Sequence, residues 1–117
     1  MGVTSVKGTL TGPSRKQATV EFLVDSGATH TLVLYNVWQE LGLTPKRKVT
    51  FTPADGTRVE RPVSECQLAL LEGEGHTPVI LGEPGDEPLL RVVTFEILGL
   101  ILHAFKRTLE PLRLLRA

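Results

Sequence analysis

Cysteine is nearly absent. The single thiol, Cys66, excludes an internal disulfide and a paired-cysteine metal site. It lies in the alternating run Val63-Ser64-Glu65-Cys66-Gln67-Leu68 and reads as a small buried apolar residue of a strand. Charge of either sign is not in excess: 13 Lys and Arg balance 13 Asp and Glu. No global field therefore advertises nucleic acid or an anionic membrane, and little repulsion opposes self-association. Lys46-Arg47-Lys48 is a short basic run, read as a solvated strand start. Long apolar runs are also missing. The stretch Ile97 to Leu102 is far shorter than the roughly 20 residues a membrane span needs. Met1 to Lys7 lacks the apolar stretch of a signal peptide, and Gly2 with Ser5 only partly matches a myristoylation signal. A soluble chain in a reducing compartment, the cytoplasm, is the expectation.

Metal and cofactor signatures are equally sparse. His30, His76 and His103 share no helix-spaced ligand pattern. His30 stands out only by its closeness to the motif discussed below, where it could tune local charge. Glu72, Glu74, Glu83, Asp86 and Glu87 do not follow a calcium-loop spacing and read as solvated loop charges. There is no nucleophile elbow, phosphate loop or dinucleotide fingerprint. No cofactor and no metal is expected.

What is present is an ordinary globular composition, 41% hydrophobic and 22% charged over 117 residues. That length suits one domain, residues 1–117, with one modest core. Most segments read as short strands between turns. Val3 to Leu10 and Ala18 to Val24 flank the turn signal Gly12-Pro13-Ser14-Arg15 and predict an N-terminal hairpin. Leu34 to Leu41 predicts a short helix, closed by Gly42 and followed by Pro45, with Trp38 and Leu41 on its core face. Val49-Thr50-Phe51-Thr52 and Thr57-Arg58-Val59-Glu60 form a second hairpin across Pro53-Ala54-Asp55-Gly56. Cys66 to Leu71 and His76 to Leu81 form a third across Glu72-Gly73-Glu74-Gly75. Val92 to Leu100 has helical spacing with Gly99 near its end, and Thr108 to Leu115 predicts a last strand. The sum is a mostly β chain with one or two short helices.

One segment carries chemistry. Phe22-Leu23-Val24 is an apolar strand end that runs directly into Asp25-Ser26-Gly27-Ala28. An apolar base can deliver a carboxylate in a defined place. Gly27 lets backbone and substrate approach closely, Ser26 offers a hydroxyl for backbone across a symmetric contact, and Ala28 suits a tight turn. Two carboxylates close enough to share a proton cannot both ionise easily. The ionised one can deprotonate a water while the protonated one stabilises the developing oxygen charge, and the pair titrates as a unit. The pattern should arise by chance in roughly one chain of this length in a thousand. The competing reading is a plain β-turn after a strand, since Asp-Ser-Gly is good turn chemistry.

Further matches, in order, weigh against that plainer reading. The chain resembles the retropepsin-like aspartic peptidases, particularly small bacterial and archaeal members. The resemblance covers nearly the whole chain. It includes the hairpin before Asp25, the motif Asp25-Ser26-Gly27-Ala28-Thr29, Leu41-Gly42-Leu43, Ala54-Asp55-Gly56, Gly82-Glu83 and Asp86-Glu87-Pro88-Leu89-Leu90. It continues through Thr94 to Leu100 and Arg107 to Pro111. The resemblance implies a closed β-barrel-like protomer with one catalytic aspartate, Asp25, in an active-site loop Ser26, Gly27, Ala28 and Thr29. It also implies that hairpin 49–60 is a flap, with Pro53, Ala54, Asp55 and Gly56 at its substrate-binding tip. The remaining aspartates, Asp55 and Asp86, are not followed by Ser-Gly or Thr-Gly. A second carboxylate must then come from a second copy, across a twofold axis. Leu109, Leu112, Leu114 and Leu115 could supply a shared interface sheet. The expected partners are a second copy and an extended peptide or protein substrate, with neither nucleic acid nor membrane.

The chain departs from the family at one telling place. Relatives carry two apolar residues and a glycine beneath the active-site loop, whereas the aligned triplet here is Leu89-Leu90-Arg91. The arginine either blocks packing under Asp25 or escapes to solvent by a backbone shift. A second register takes Ile97-Leu98-Gly99 as the triplet and Leu100 to Leu109 as the following helix. His103 and Ala104 stand where relatives often have Asp-Pro. These departures keep open a catalytically inactive dimerisation or peptide-binding module of the same fold.

Overall fold

The computed structural model describes residues 5–25, 30–52, 55–103 and 108–111. Two hairpin strands open the chain, β1 (Ser5–Thr11) and β2 (Gln17–Asp25), paired antiparallel with Gly8 opposite Val20. The predicted turn joins them: the Arg15 N–H donates to Gly12 O at 3.0 Å and the Gly12 N–H to Lys16 O at 2.9 Å. Beyond residues 26–29 come β3 (Thr31–Val33) and helix α1 (Tyr35–Leu41). Then follow β4 (Arg47–Phe51), β5 (Val59–Ala69) and β6 (Glu74–Leu81). The described chain closes with β7 (Leu89–Arg91), α2 (Val92–Ile97), β8 (Leu100–His103) and β9 (Thr108–Pro111).

The sheet runs β1-β2-β7-β3-β6-β5, and β5 returns to β1 with Leu10 opposite Leu68. Six strands thus form a closed barrel, and β4 extends from β5 as an outer strand. Strands β8 and β9 form a separate two-stranded sheet. Closure removes the free edges of the six barrel strands and fixes a shared interior. Alternation supplies that interior: Val20 and Phe22 of β2, Leu10 of β1, Leu68 of β5 and Val79 and Leu81 of β6 point inward and are buried. Leu90 and Phe95 cap the same cluster. Each such side chain contributes about 1.5–3 kcal/mol by leaving water.

Helix α1 ends as its sequence predicts. Gly42 takes φ 74°, its N–H bonds Gln39 O, and the Leu43 N–H bonds Trp38 O. Only a residue without a Cβ accepts that left-handed end at little cost. Leu41 is fully buried, and the Trp38 indole N–H donates to Gly82 O at 2.8 Å. The helix C-terminus lies hard against the first turn. A Cβ on Gly12 would meet Leu41 O at 2.2 Å, so only glycine fits there.

Several boundaries differ from the sequence reading. The third hairpin closes earlier than expected: Leu70 N–H donates to Gly73 O, and Glu74 and Gly75 already pair with Ala69 and Leu68. Gly75 is a strand residue paired with Leu68, and a Cβ there would lie 3.0 Å from Leu98 Cδ2, which favours glycine. Strand β5 is one continuous element that serves both the second and third hairpins. Helix α2 stops at Ile97, Gly99 turns at φ 73°, and Leu100 begins a strand that the helical spacing had hidden. Strand β3 carried no sequence signal of its own. The alternative register fails, because Ile97 ends a helix while Leu100–His103 and Thr108–Pro111 are strands. Leu89-Leu90-Arg91 is the triplet that pairs with β2. Of the expected last strand, Leu112 to Leu115 lie outside the described residues.

Candidate active site

Asp25 is the last residue of β2, and β7 runs parallel beside it with the register Leu23↔Leu89, Val24↔Leu90, Asp25↔Arg91. The Leu23 N–H also bonds Pro88 O at 2.9 Å, which anchors the start of β7 under the same strand. The carboxylate emerges from this apolar pair with 41% of its side chain exposed. It does not face water alone. Arg91 Nε lies 3.3 Å from Asp25 Oδ2, and the arginine side chain is only 18% exposed.

This geometry answers the question Arg91 raised. Its backbone is extended, φ −114° and ψ 164°, a conformation open to any residue. The side chain does not leave for solvent. It turns along the sheet toward the carboxylate opposite it.

A chain of buried hydroxyls holds the arginine in place. The Arg91 N–H donates to Thr31 Oγ1 at 3.0 Å. Thr31 Oγ1 and Thr94 Oγ1 are 2.6 Å apart, and Thr94 and Thr77 hydroxyls are 3.2 Å apart. The Thr77 hydroxyl donates to Pro78 O at 3.2 Å. Each hydroxyl has one proton, so the directions follow. Thr77 spends its proton on Pro78, Thr94 donates to Thr77, and Thr31 donates to Thr94 while accepting from Arg91. All three threonines are at most 1% exposed, so these bonds replace water. The chain ties β3, α2 and β6 to the end of β7. Sequence reasoning missed it, because three isolated threonines carry no pattern until the barrel closes.

The other aspartates serve local structure. Asp55 Oδ1 accepts the Thr57 N–H at 3.0 Å and the Thr57 hydroxyl at 2.8 Å, an Asx turn. Those backbone and side-chain bonds hold its exposed carboxyl below the usual range. Gly56 follows at φ 86°, as the Asp-Gly signal required. Asp86 is not the solvated loop charge expected. Its Oδ2 accepts from Arg61 Nη1 at 2.9 Å and from the Glu83 N–H at 2.7 Å. Burial pushes that carboxyl up, but the Glu83 N–H and the Arg61 bond and charge outweigh it and leave it low. Ser26, Gly27, Ala28 and Thr29 of the loop, and Pro53 and Ala54 of the flap tip, lie outside the described residues.

His30 is partly buried, and desolvation, followed by the Arg47 charge, keeps its imidazole below the ordinary value. It therefore favours the neutral form at pH 7 and adds no cation beside the loop. Cys66 is buried as predicted, and desolvation pushes its thiol up to about 12, which makes it inert. A groove of about 300 Å³ lies at the β1–β2 turn, the opposite end of β2 from Asp25. Its carboxylate, Glu65, pairs with His76 at 3.4 Å, so it offers no carboxylate pair for hydrolysis.

A closed six-stranded barrel presenting one aspartate at a strand end, against a short parallel strand, defines a fold of retroviral-protease type. The comparisons agree. Residues 6–90 match the aspartyl protease family, well over half of the chain, and the chain belongs to that family. Among solved structures, 67 chains match. One is the prototype foamy virus protease-reverse transcriptase in its native form, with 18% identity and a TM-score of 0.59. That likeness covers 97% of this chain and 12% of the viral one, so this chain spans a small part of that polypeptide. No curated protein matches the chain.

Proposed function

We propose that this chain is a homodimeric aspartic endopeptidase in which two Asp25 carboxylates, one per protomer, activate a water against a peptide bond. The observation that carries this reading is the placement of Asp25, delivered by a barrel strand and seated against β7 with its carboxylate partly exposed. Membership of the aspartyl protease family supports it. The described aspartates Asp55 and Asp86 are each held by other partners, so a second carboxylate comes from a second copy.

In the dimer one Asp25 carries the shared proton and its twin is ionised. The ionised carboxylate takes a proton from the bound water as its oxygen attacks the peptide carbonyl. The protonated one gives its proton to the carbonyl oxygen. The tetrahedral species collapses as the first carboxyl passes the water's proton to the leaving nitrogen, the C–N bond breaks, and the second carboxylate takes back a hydroxyl proton, which restores the pair. Ser26, Gly27, Ala28 and Thr29 form the loop that holds the pair. Pro53, Ala54, Asp55 and Gly56 close over an extended peptide, excluding water and adding backbone hydrogen bonds. The reaction runs at acidic to neutral pH in a reducing compartment such as the cytoplasm, within one domain spanning residues 1–117 and with no metal or cofactor.

The test is hydrolysis of a mixed peptide library by wild type and by Asp25→Asn. Cleavage should vanish in the variant, and a hydroxyl-bearing mimic of the tetrahedral species should inhibit wild type. Equal cleavage by both proteins refutes the reading. One observation favours a second reading, a silent module of the same fold: Asp25 is already engaged by Arg91. Activity that appears only in Arg91→Gly would select it.

A further inference from the structure

The Arg91 contact has a consequence for assembly. Arginine stays protonated at any working pH. Each protomer therefore carries a cation 3.3 Å from the very carboxylate that must approach its twin. The cation is not a loose surface group. Its backbone is pinned by Thr31, its side chain is largely covered, and its residue is the direct sheet partner of Asp25. Wherever Asp25 goes, Arg91 goes with it.

Two ionised carboxylates brought together across a twofold axis repel each other, and more strongly as water is excluded. As the protomers approach, before the pair takes up its shared proton, an arginine on each makes the four charges sum to zero, alternating as cation, carboxylate, carboxylate, cation. The outer cations also draw each carboxylate back toward its own strand. We propose that Arg91 is a positioning residue of the catalytic pair: it orients Asp25 through Oδ2 and balances the like charges that dimerisation brings together. The inference rests on the dimeric peptidase reading above and extends it to the charge regulation of that site.

A double-mutant cycle tests it on the full chain. Wild type, Arg91→Met, Asp25→Asn and the double variant are compared at neutral pH, with dimer dissociation measured by sedimentation at low and high salt. Circular dichroism confirms folding, and Arg91→Gln replaces Arg91→Met should the latter not fold. Removing the cation should weaken the dimer about tenfold or more when Asp25 is present, and less than about twofold in the Asp25→Asn background. The difference should shrink at high salt. Arg91→Lys should restore most of the dimer affinity. In peptide hydrolysis it should lower kcat more than it raises KM, because a point charge does not hold the carboxylate plane as a guanidinium does.

Equal weakening in both backgrounds would make the contact mere packing and overturn the inference, as would no weakening at all. A wild type that stays monomeric overturns the functional reading and the inference together. A dimer with Asp25-dependent hydrolysis but no coupling overturns the inference alone. Coupling without Asp25-dependent hydrolysis overturns the enzyme reading and leaves the charge role of Arg91 in the dimer standing.

Discussion

Replacing Thr31 with valine probes the support beneath Asp25 without changing its shape. Thr31 is fully buried, and its hydroxyl accepts from the Arg91 N–H at 3.0 Å and bonds Thr94 at 2.6 Å. Stranding the Arg91 N–H costs about 1–3 kcal/mol, and depriving Thr94 of its donor costs about 0.5–1.5 kcal/mol more. The added methyl returns about 1 kcal/mol of apolar burial. The net expectation is a loss of about 1–3 kcal/mol, which lowers the urea midpoint by roughly 0.5–2 M for a domain of this size. Thr9→Val is the control, since its bond to Thr19 is exposed, and it should change stability by less than about 0.5 kcal/mol. Thr94→Val should cost as much as Thr31→Val, and the double variant should cost less than the two summed, because one broken bond is counted in both. Two results would refute the reasoning: a Thr31→Val protein within about 0.5 kcal/mol of wild type, or strict additivity with Thr94→Val.

Other expectations follow from the same geometry. Asp86→Ala should lower stability at neutral pH by about 1–2 kcal/mol through loss of the charged bonds to Arg61 and Glu83. Because the folded carboxyl sits below its unfolded value, its stabilisation is complete above about pH 4 and fades as pH falls further. Acid titrations of wild type and variant should therefore converge; parallel curves down to low pH would refute the linkage. Gly12→Ala should destabilise by about 1–3 kcal/mol in a urea melt, since its Cβ would collide with the Leu41 carbonyl.

Much of the architecture was legible because it is local. The turn Gly12-Pro13-Ser14-Arg15, the left-handed Gly42 and the Asp55-Gly56 turn each express a backbone preference within a few residues, and each appears where the sequence places it. The parts that were not legible depend on partners distant in sequence. Glycines at 73 and 75 both suggested a turn, but Gly75 pairs with Leu68 on the distant arm of the hairpin and is part of the strand. Leu100 continued a helical spacing, yet Gly99 and the pairing with β9 made it β. Strand β3 is too short to show a period and exists because β6 and β7 flank it.

The candidate site divides in the same way. By itself the sequence determined that an apolar strand ends in an aspartate, because alternation and turn chemistry are properties of neighbouring residues. It also determined that Asp55 and Asp86 do not repeat that motif, and the proposed dimer rests on this. Only the tertiary structure decided what Arg91 does. Seen in sequence it was an arginine in a glycine's place, with crowding or escape as its prospects. The parallel pairing of β2 with β7 set it opposite Asp25, and the buried hydroxyls of Thr31, Thr94 and Thr77 held it there. A charge contact of that kind depends on distance and burial, which arise only when strands far apart in the chain close into one barrel.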